Sequence, residues 1–136
     1  MSVVGGERTF FTFTGANDEF CASDVDVSTL NVKMFHLGYF LLLDKIDNGE
    51  GLKLLKAVKN AGIKTSIDLV SENSNRYYKA VSCLPYVDNL IINEIEAGAI
   101  AGIKATNDNL VEIAKKIKGL GVLERVIIHS PKRAIC

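Results

Sequence analysis

Short β-prone runs alternate with stretches of helical spacing along most of this chain, and no other feature constrains the fold as much. The runs Val32–Leu37, Ile63–Val70, Leu90–Ile92 and Val126–His129 are brief and rich in Val, Ile and Leu. Helical patterns separate them. Between Glu50 and Asn60 the apolar residues Leu52, Leu54, Leu55 and Val58 recur near a helical period, and Gly62 offers a stop. Asn75–Cys83 reads as a helix halted before Pro85, and Glu94–Ala101 as a short helix. In Asn109–Lys118, Leu110, Ile113, Ala114 and Ile117 share one face, and Gly119 and Gly121 break the pattern. Strands joined through helices imply crossover connections and a mostly parallel sheet. Strands this apolar are expected where helices cover both faces.

The N-terminus follows a different pattern. Ser2-Val3-Val4, the glycine pair Gly5-Gly6 and the aromatic, β-branched run Arg8–Thr14 predict a β-hairpin. Phe11 and Phe13 fall on one face and Phe10 on the other, so a free hairpin cannot bury both, and a ligand or partner chain should cover one. The division expected is a lid hairpin over residues 1–16 and an α/β core over residues 17–136. At the other end Ala134-Ile135-Cys136 begins a further strand, which points to a cut from a longer parent.

Composition excludes several classes of function. The 136 residues carry sixteen basic and sixteen acidic side chains, so no net charge steers the chain toward nucleic acid or an acidic membrane. Cys21, Cys83 and Cys136 are odd in number and match no zinc spacing, which is the pattern of reduced thiols in a cytoplasmic protein. The longest apolar run, Tyr39–Leu43, is far short of the ~20 residues of a membrane span.

In open α/β sheets ligands bind beyond the carboxyl ends of the strands. The polar residues there are His36, Asp68, Asn93, Glu96, His129 and Ser130. Asn93-x-x-Glu96 is the sharpest of these features. It reads as an N-cap with its capping-box partner, and equally as an amide and carboxylate able to hold hydrated Mg²⁺ beside phosphate; the two are compatible. His36 and His129 have the packed core histidine as their default, and Asp68 can be a turn acceptor.

The order of these pieces resembles the ribokinase-like, or PfkB, family of carbohydrate and nucleoside kinases. The resemblance rests on Gly6-Glu7-Arg8-Thr9-Phe10, then Gly15-Ala16-Asn17, then Phe35-His36-Leu37-Gly38. It continues through Asp68 closing a strand, Asn93-x-x-Glu96-Ala97, and Val126-Ile127-Ile128-His129-Ser130-Pro131. It implies a ribokinase-like α/β fold and transfer of the ATP γ-phosphoryl to a sugar or nucleoside hydroxyl. It implies that Asn93, Glu96, His129 and Ser130 serve the nucleotide, with Glu96 toward magnesium. Arg8, Phe10 and Asp68 would lie on the lid and substrate side, and the hairpin lid would pair subunits in a homo-oligomer. The family's Gly-Ala-Gly-Asp segment, with its catalytic base, and its Gly-Gly sugar segment do not occur here, and Arg133 stands where a glycine is usual. The expectation is an incomplete kinase, inactive alone. The alternatives are a non-catalytic binding or oligomerisation module, and an unrelated domain in which Asn93 and Glu96 only cap a helix.

Overall fold

The computed structural model describes residues 13–71 and 75–136. Among these residues five strands form one sheet: β1 (Met34–Phe40), β2 (Lys64–Leu69), β3 (Asn89–Asn93), β4 (Arg125–His129) and β5 (Ala134–Ile135). Their spatial order is their chain order. The first four run parallel and β5 returns antiparallel to β4. The helices are α1 (Gly51–Asn60), α2 (Tyr78–Val81), α3 (Glu94–Ala101) and α4 (Leu110–Gly119). The alternating pattern of the sequence is therefore realised as parallel strands linked by crossovers.

The register explains the core. Leu37, Ile67, Leu90 and Val126 lie opposite one another across β1 to β4, and all four are buried. Ile92 faces Ile128 one pleat further on, also buried. Onto these rows α1 lays Leu54, Leu55 and Val58, and α4 lays Leu110, Ile113 and Ile117. A one-residue slip of any strand would turn its apolar row away from this core, so the hydrophobic pattern fixes the register. Gly62 takes φ +78 just past α1, and Gly102 takes φ +63 as it ends α3, left-handed positions that favour glycine.

Three sequence expectations need correction. The first strand runs past Gly38 to Phe40 rather than stopping at Leu37. The helix expected over Asn75–Cys83 contracts to Tyr78–Val81. Around it the amides of Lys79, Ala80 and Cys83 bond to carbonyls three residues back, and the Ser82 hydroxyl donates to the Lys79 carbonyl. Adjacent tyrosines, a competing serine and the proline at 85 all weaken an α-helix there. Finally, the strands are not buried evenly on both faces. In β4, Val126 and Ile128 are buried while Ile127 is half-buried and Arg125 and His129 are exposed. Parallel strands in sequential order, joined by crossovers of one hand, carry their helices on one face.

The expected lid hairpin over residues 1–16 lies outside the described residues apart from residues 13–16, of which Gly15 and Ala16 begin a short 3-10 helix (Gly15–Asp18); Arg8 and Phe10 lie outside them too. Cys83 is buried and its thiol is pushed up to about 11 by burial, with the Asp47 charge adding to the effect. It is an inert core residue, whereas Cys136 is exposed. Among the described residues no helix is long and apolar enough to cross a membrane.

Candidate functional site

Because the four parallel strands share a direction, their carboxyl ends form one rim. β3 ends at Asn93, and α3 begins at the next residue. Asn93 keeps extended backbone and its Oδ1 accepts the N–H groups of Ile95 and Glu96, both at 2.9 Å. Glu96 folds back so that its Oε2 accepts the Asn93 N–H at 2.9 Å. The capping box read from the sequence is therefore formed.

The structure adds a partner that sequence spacing did not reveal. Ser71, two residues beyond the end of β2, donates its hydroxyl to Glu96 Oε1 at 2.8 Å and accepts from Asn93 Nδ2 at 2.6 Å. Asn93 Nδ2 also donates to Glu96 Oε1 at 2.9 Å. Asn93, Glu96 and Ser71 thus close a triangle across two adjacent strand ends. Glu96 is only 3% exposed. Burial pushes its carboxyl above the usual range; the Asn93 N–H, the Ser71 hydroxyl and the nearby His129 pull it down, and the Asp68 charge pushes it further up. His129 and Asp68 are therefore electrostatic neighbours of Glu96. His129 also lies opposite Asn93 in the β3–β4 register.

A second network ties β1 to β2. His36 lies opposite Ser66, and its Nδ1 is 3.1 Å from the Ser66 hydroxyl. Its Nε2 is 3.3 Å from Asp68 Oδ2. Asp68 Oδ1 accepts the backbone N–H of Tyr39 at 2.6 Å. The side chain of His36 is 45% exposed and His129 is exposed too, so neither is the packed core histidine that residue type alone predicts. One turn further on, buried Asp47 accepts the Leu41 N–H at 2.8 Å, and Arg76 donates to the Leu41 carbonyl at 3.1 Å. Burial holds the Asp47 carboxyl above the usual range, against the pull of the Leu41 N–H and of Arg76.

Ser130 stands apart from the Glu96 triangle. Its N–H and hydroxyl donate to the Arg133 carbonyl at 2.8 and 3.1 Å, and its Oγ accepts the Arg133 N–H at 3.3 Å. These bonds close the turn between β4 and β5, with Arg133 in place of a glycine.

Among the described residues no group of three or more His, Cys, Asp and Glu side chains is arranged to hold a metal. The Glu96 donor set fits a hydrated ion instead. Three of the roughly four lone-pair positions of its carboxylate are taken by protein donors. One remains for a water, and Mg²⁺ typically keeps several waters while using one or two carboxylates.

Residues 1–135 match the family model described as pfkB family carbohydrate kinase. No curated protein matches the sequence. Among solved structures, the protein designated Sa239 superposes with a TM-score of 0.69 at 22% identity, over 90% of this chain and 39% of that one. Anopheles gambiae adenosine kinase, solved with di(adenosine-5) tetraphosphate, gives 0.62 at 23% identity, over 82% of this chain and 38% of that one. Arabidopsis thaliana ribokinase, solved with ribose and ATP, gives 0.54 at 24%, over 72% of this chain and 29% of that one. At these identities the likeness shows the fold, and the chain spans about two-fifths or less of each of these structures.

Proposed function

The chain belongs to the pfkB family of carbohydrate kinases, and on that premise we propose that it is the nucleotide-side portion of an ATP-dependent kinase acting on a sugar or nucleoside hydroxyl. The observation that carries this reading is the buried Asn93–Glu96–Ser71 triangle at the mouth of the parallel sheet. A helix cap alone needs only Asn93 and Glu96. The extra hydroxyl, from the segment after the neighbouring strand, holds the carboxylate in one orientation. Structures of similar fold that were solved with ATP or an adenosine polyphosphate support the same reading.

In this reading Glu96 accepts a hydrogen bond from a magnesium-bound water, and Asn93 and Ser71 hold Glu96 in place. His129 and Ser130, on the adjacent strand end and its turn, flank the nucleotide. Magnesium, when bound, neutralises phosphate charge during transfer, which depends mainly on positioning and electrostatics. The sequence has no Gly-Ala-Gly-Asp segment to supply a base, so the chain by itself binds nucleotide without turning it over. A cytoplasmic location belongs to the same proposal.

Glu96→Gln tests it. The amide keeps the fold, as circular dichroism will check, but loses the charge that draws the hydrated ion. Calorimetry should show affinity for Mg²⁺–ADP falling about tenfold, with magnesium-free ADP little changed. Equal affinity for Mg²⁺–ADP in both proteins would leave Glu96 as a helix cap and nothing more.

A second reading, an oligomerisation module, is favoured by β1. Among the described residues it pairs only with β2 and forms an edge of the sheet, and Met34 within it and Val32 just before it are exposed. Such an edge invites a further strand from another chain. Sedimentation at micromolar concentration should give a dimer or larger species, and a monomer would remove this reading.

A further inference from the structure

Ser71 holds Glu96, so whatever fixes Ser71 also fixes the carboxylate. The chain is tied to the end of β1 on both sides of Ser71. Before it, the Val70 N–H donates to the Phe40 carbonyl at 3.0 Å. After it, the Arg76 guanidinium donates to the Leu41 carbonyl at 3.1 Å. These acceptors are consecutive carbonyls on an unusual turn. Among the described residues only Tyr39 and Leu41, apart from glycines, have positive φ, at 60° and 83°, with Tyr39 exposed and Leu41 buried. A bulky residue keeps such a backbone only where its surroundings hold it. At Leu41 the hold comes from Asp47, a buried carboxylate that accepts the Leu41 N–H at 2.8 Å. Leu41 is thus gripped by an acidic group at its N–H and a basic group at its carbonyl. Burial pushes the Asp47 carboxyl up and the Arg76 charge is among those that pull it down, so the two grips also act on each other. Lys79 adds a further tie, donating to Asn48 Oδ1 at 2.7 Å. The clamp is costly, because Asp47 Oδ2 is buried with no hydrogen-bond partner among the described residues. The β1–β2 ladder ends at Phe40 and Leu69, so the clamp lengthens no strand. What it fixes is where the chain that carries Ser71 lies.

We propose that Arg76 is a positioning residue for the Asn93–Glu96–Ser71 triangle. It holds the chain beyond β2 against the end of β1, so that the Ser71 hydroxyl stays on Glu96, and Asp47 fixes the peptide that Arg76 grips. Arg76 touches no member of the triangle in any of these bonds and acts through Ser71. Residues joined through one hydrogen-bond network do not contribute independently, so removing Arg76 and removing the Ser71 hydroxyl should have overlapping effects. The consequence for Mg²⁺–nucleotide binding rests on the kinase reading above. The coupling of Arg76 to the triangle does not, and it can be read in the protein without ligand.

The test uses the full chain and the variants Arg76→Met, Ser71→Ala and the two combined, each checked for folding by circular dichroism. The first readout is the side-chain amide signal of Asn93 in ligand-free protein, followed by NMR. That amide donates to the Ser71 hydroxyl and to Glu96, and Ser71→Ala should move its signal. Arg76→Met should move it in the same direction, which a loss of stability alone would not do. The second readout is calorimetric affinity for Mg²⁺–ADP. Arg76→Met and Ser71→Ala should each weaken it about fivefold, the scale of one hydrogen bond, and the combined variant should be no weaker than about twofold below either. Magnesium-free ADP should bind alike throughout. If Arg76→Met does not fold, Arg76→Gln, polar but too short to reach the Leu41 carbonyl, gives the same comparison. An Asn93 signal left at its wild-type position in the folded Arg76 variant, or losses that multiply in the combined variant, overturns the proposal. A wild type that binds no Mg²⁺–ADP removes the kinase reading, and a shifted Asn93 signal then leaves the coupling standing.

Discussion

Asp88→Ala should lower the unfolding free energy by about 3 kcal/mol, the scale of breaking a buried ion pair whose partner stays behind. Asp88 is 2% exposed at the amino end of β3. One oxygen pairs with the Lys59 ammonium at the end of α1. The other accepts the Thr65 N–H at 2.8 Å and the Thr65 hydroxyl at 3.1 Å. The Asp88 carbonyl accepts from Glu124 and Arg125 as β4 begins. One residue thus fastens α1, β2, β3 and β4 at the end of the sheet opposite the site. Asp88→Asn keeps the shape but loses the charge, and should fall between the wild type and the alanine variant in chemical denaturation. Burial alone would raise the Asp88 carboxyl, but Lys59 and Thr65 outweigh it and hold the group below its ordinary 3.8. A carboxyl lowered in the folded state adds stability above its unfolded value, and that contribution is lost as pH falls through the folded value. The difference between wild type and Asp88→Ala should therefore be full at neutral pH and shrink below about pH 3.8. A difference that stays constant down through that range would refute the ion-pair account.

Glu96→Ala should cost a comparable amount, about 3 kcal/mol, for a different reason. It leaves the Asn93 N–H and the Ser71 hydroxyl without their acceptor, takes from the Asn93 amide one of its two acceptors, and opens the capping box. Its pH signature has the opposite sign. The folded-state carboxyl is held above its ordinary 4.5, chiefly by burial. A raised carboxyl contributes stability that is fully present below the unfolded value and is lost as pH rises through the folded one. Wild-type stability should therefore carry a declining component as pH rises above 4.5. Glu96→Gln does not titrate and should lack it. Equal slopes for the two proteins in that window would mean that Glu96 is not held as a buried, strained carboxylate. The cost of keeping this charge buried is easier to understand if a cation of the ligand complex relieves it.

How much of this was legible beforehand differs between fold and site. α3 begins and ends where the sequence placed it, at Glu94 and Ala101, because Asn93 and Glu96 form a local cap and Gly102 a local stop. α4 and β4 fall within one residue of expectation for another reason, that their buried apolar residues (Leu110, Ile113 and Ile117; Val126 and Ile128) keep a clear helical or alternating spacing. β1 did not, because Gly38 reads as a terminator while the strand is carried on to Phe40 by pairing with Leu69. α2 did not, because apolar spacing is blind to the serine and aromatic competition that tightens its turns. In the site, the Asn93–Glu96 pair was readable because both residues belong to one helix start. Ser71, Tyr39, Asp47 and Arg76 were not, since each acts on a partner brought to it by the fold.

The sequence by itself determined the parallel α/β architecture, the apolar rows that set its register, and the capped helix start at the mouth of the sheet. Those follow from periodicity and from contacts only three or four residues apart. The tertiary structure alone decided that Ser71 would orient Glu96, that Asp68 would grip the backbone of β1, and that Tyr39 would stand in water on a left-handed turn. Each of these joins residues twenty to thirty positions apart across neighbouring strands, and no local pattern records which side chains a parallel register will bring together.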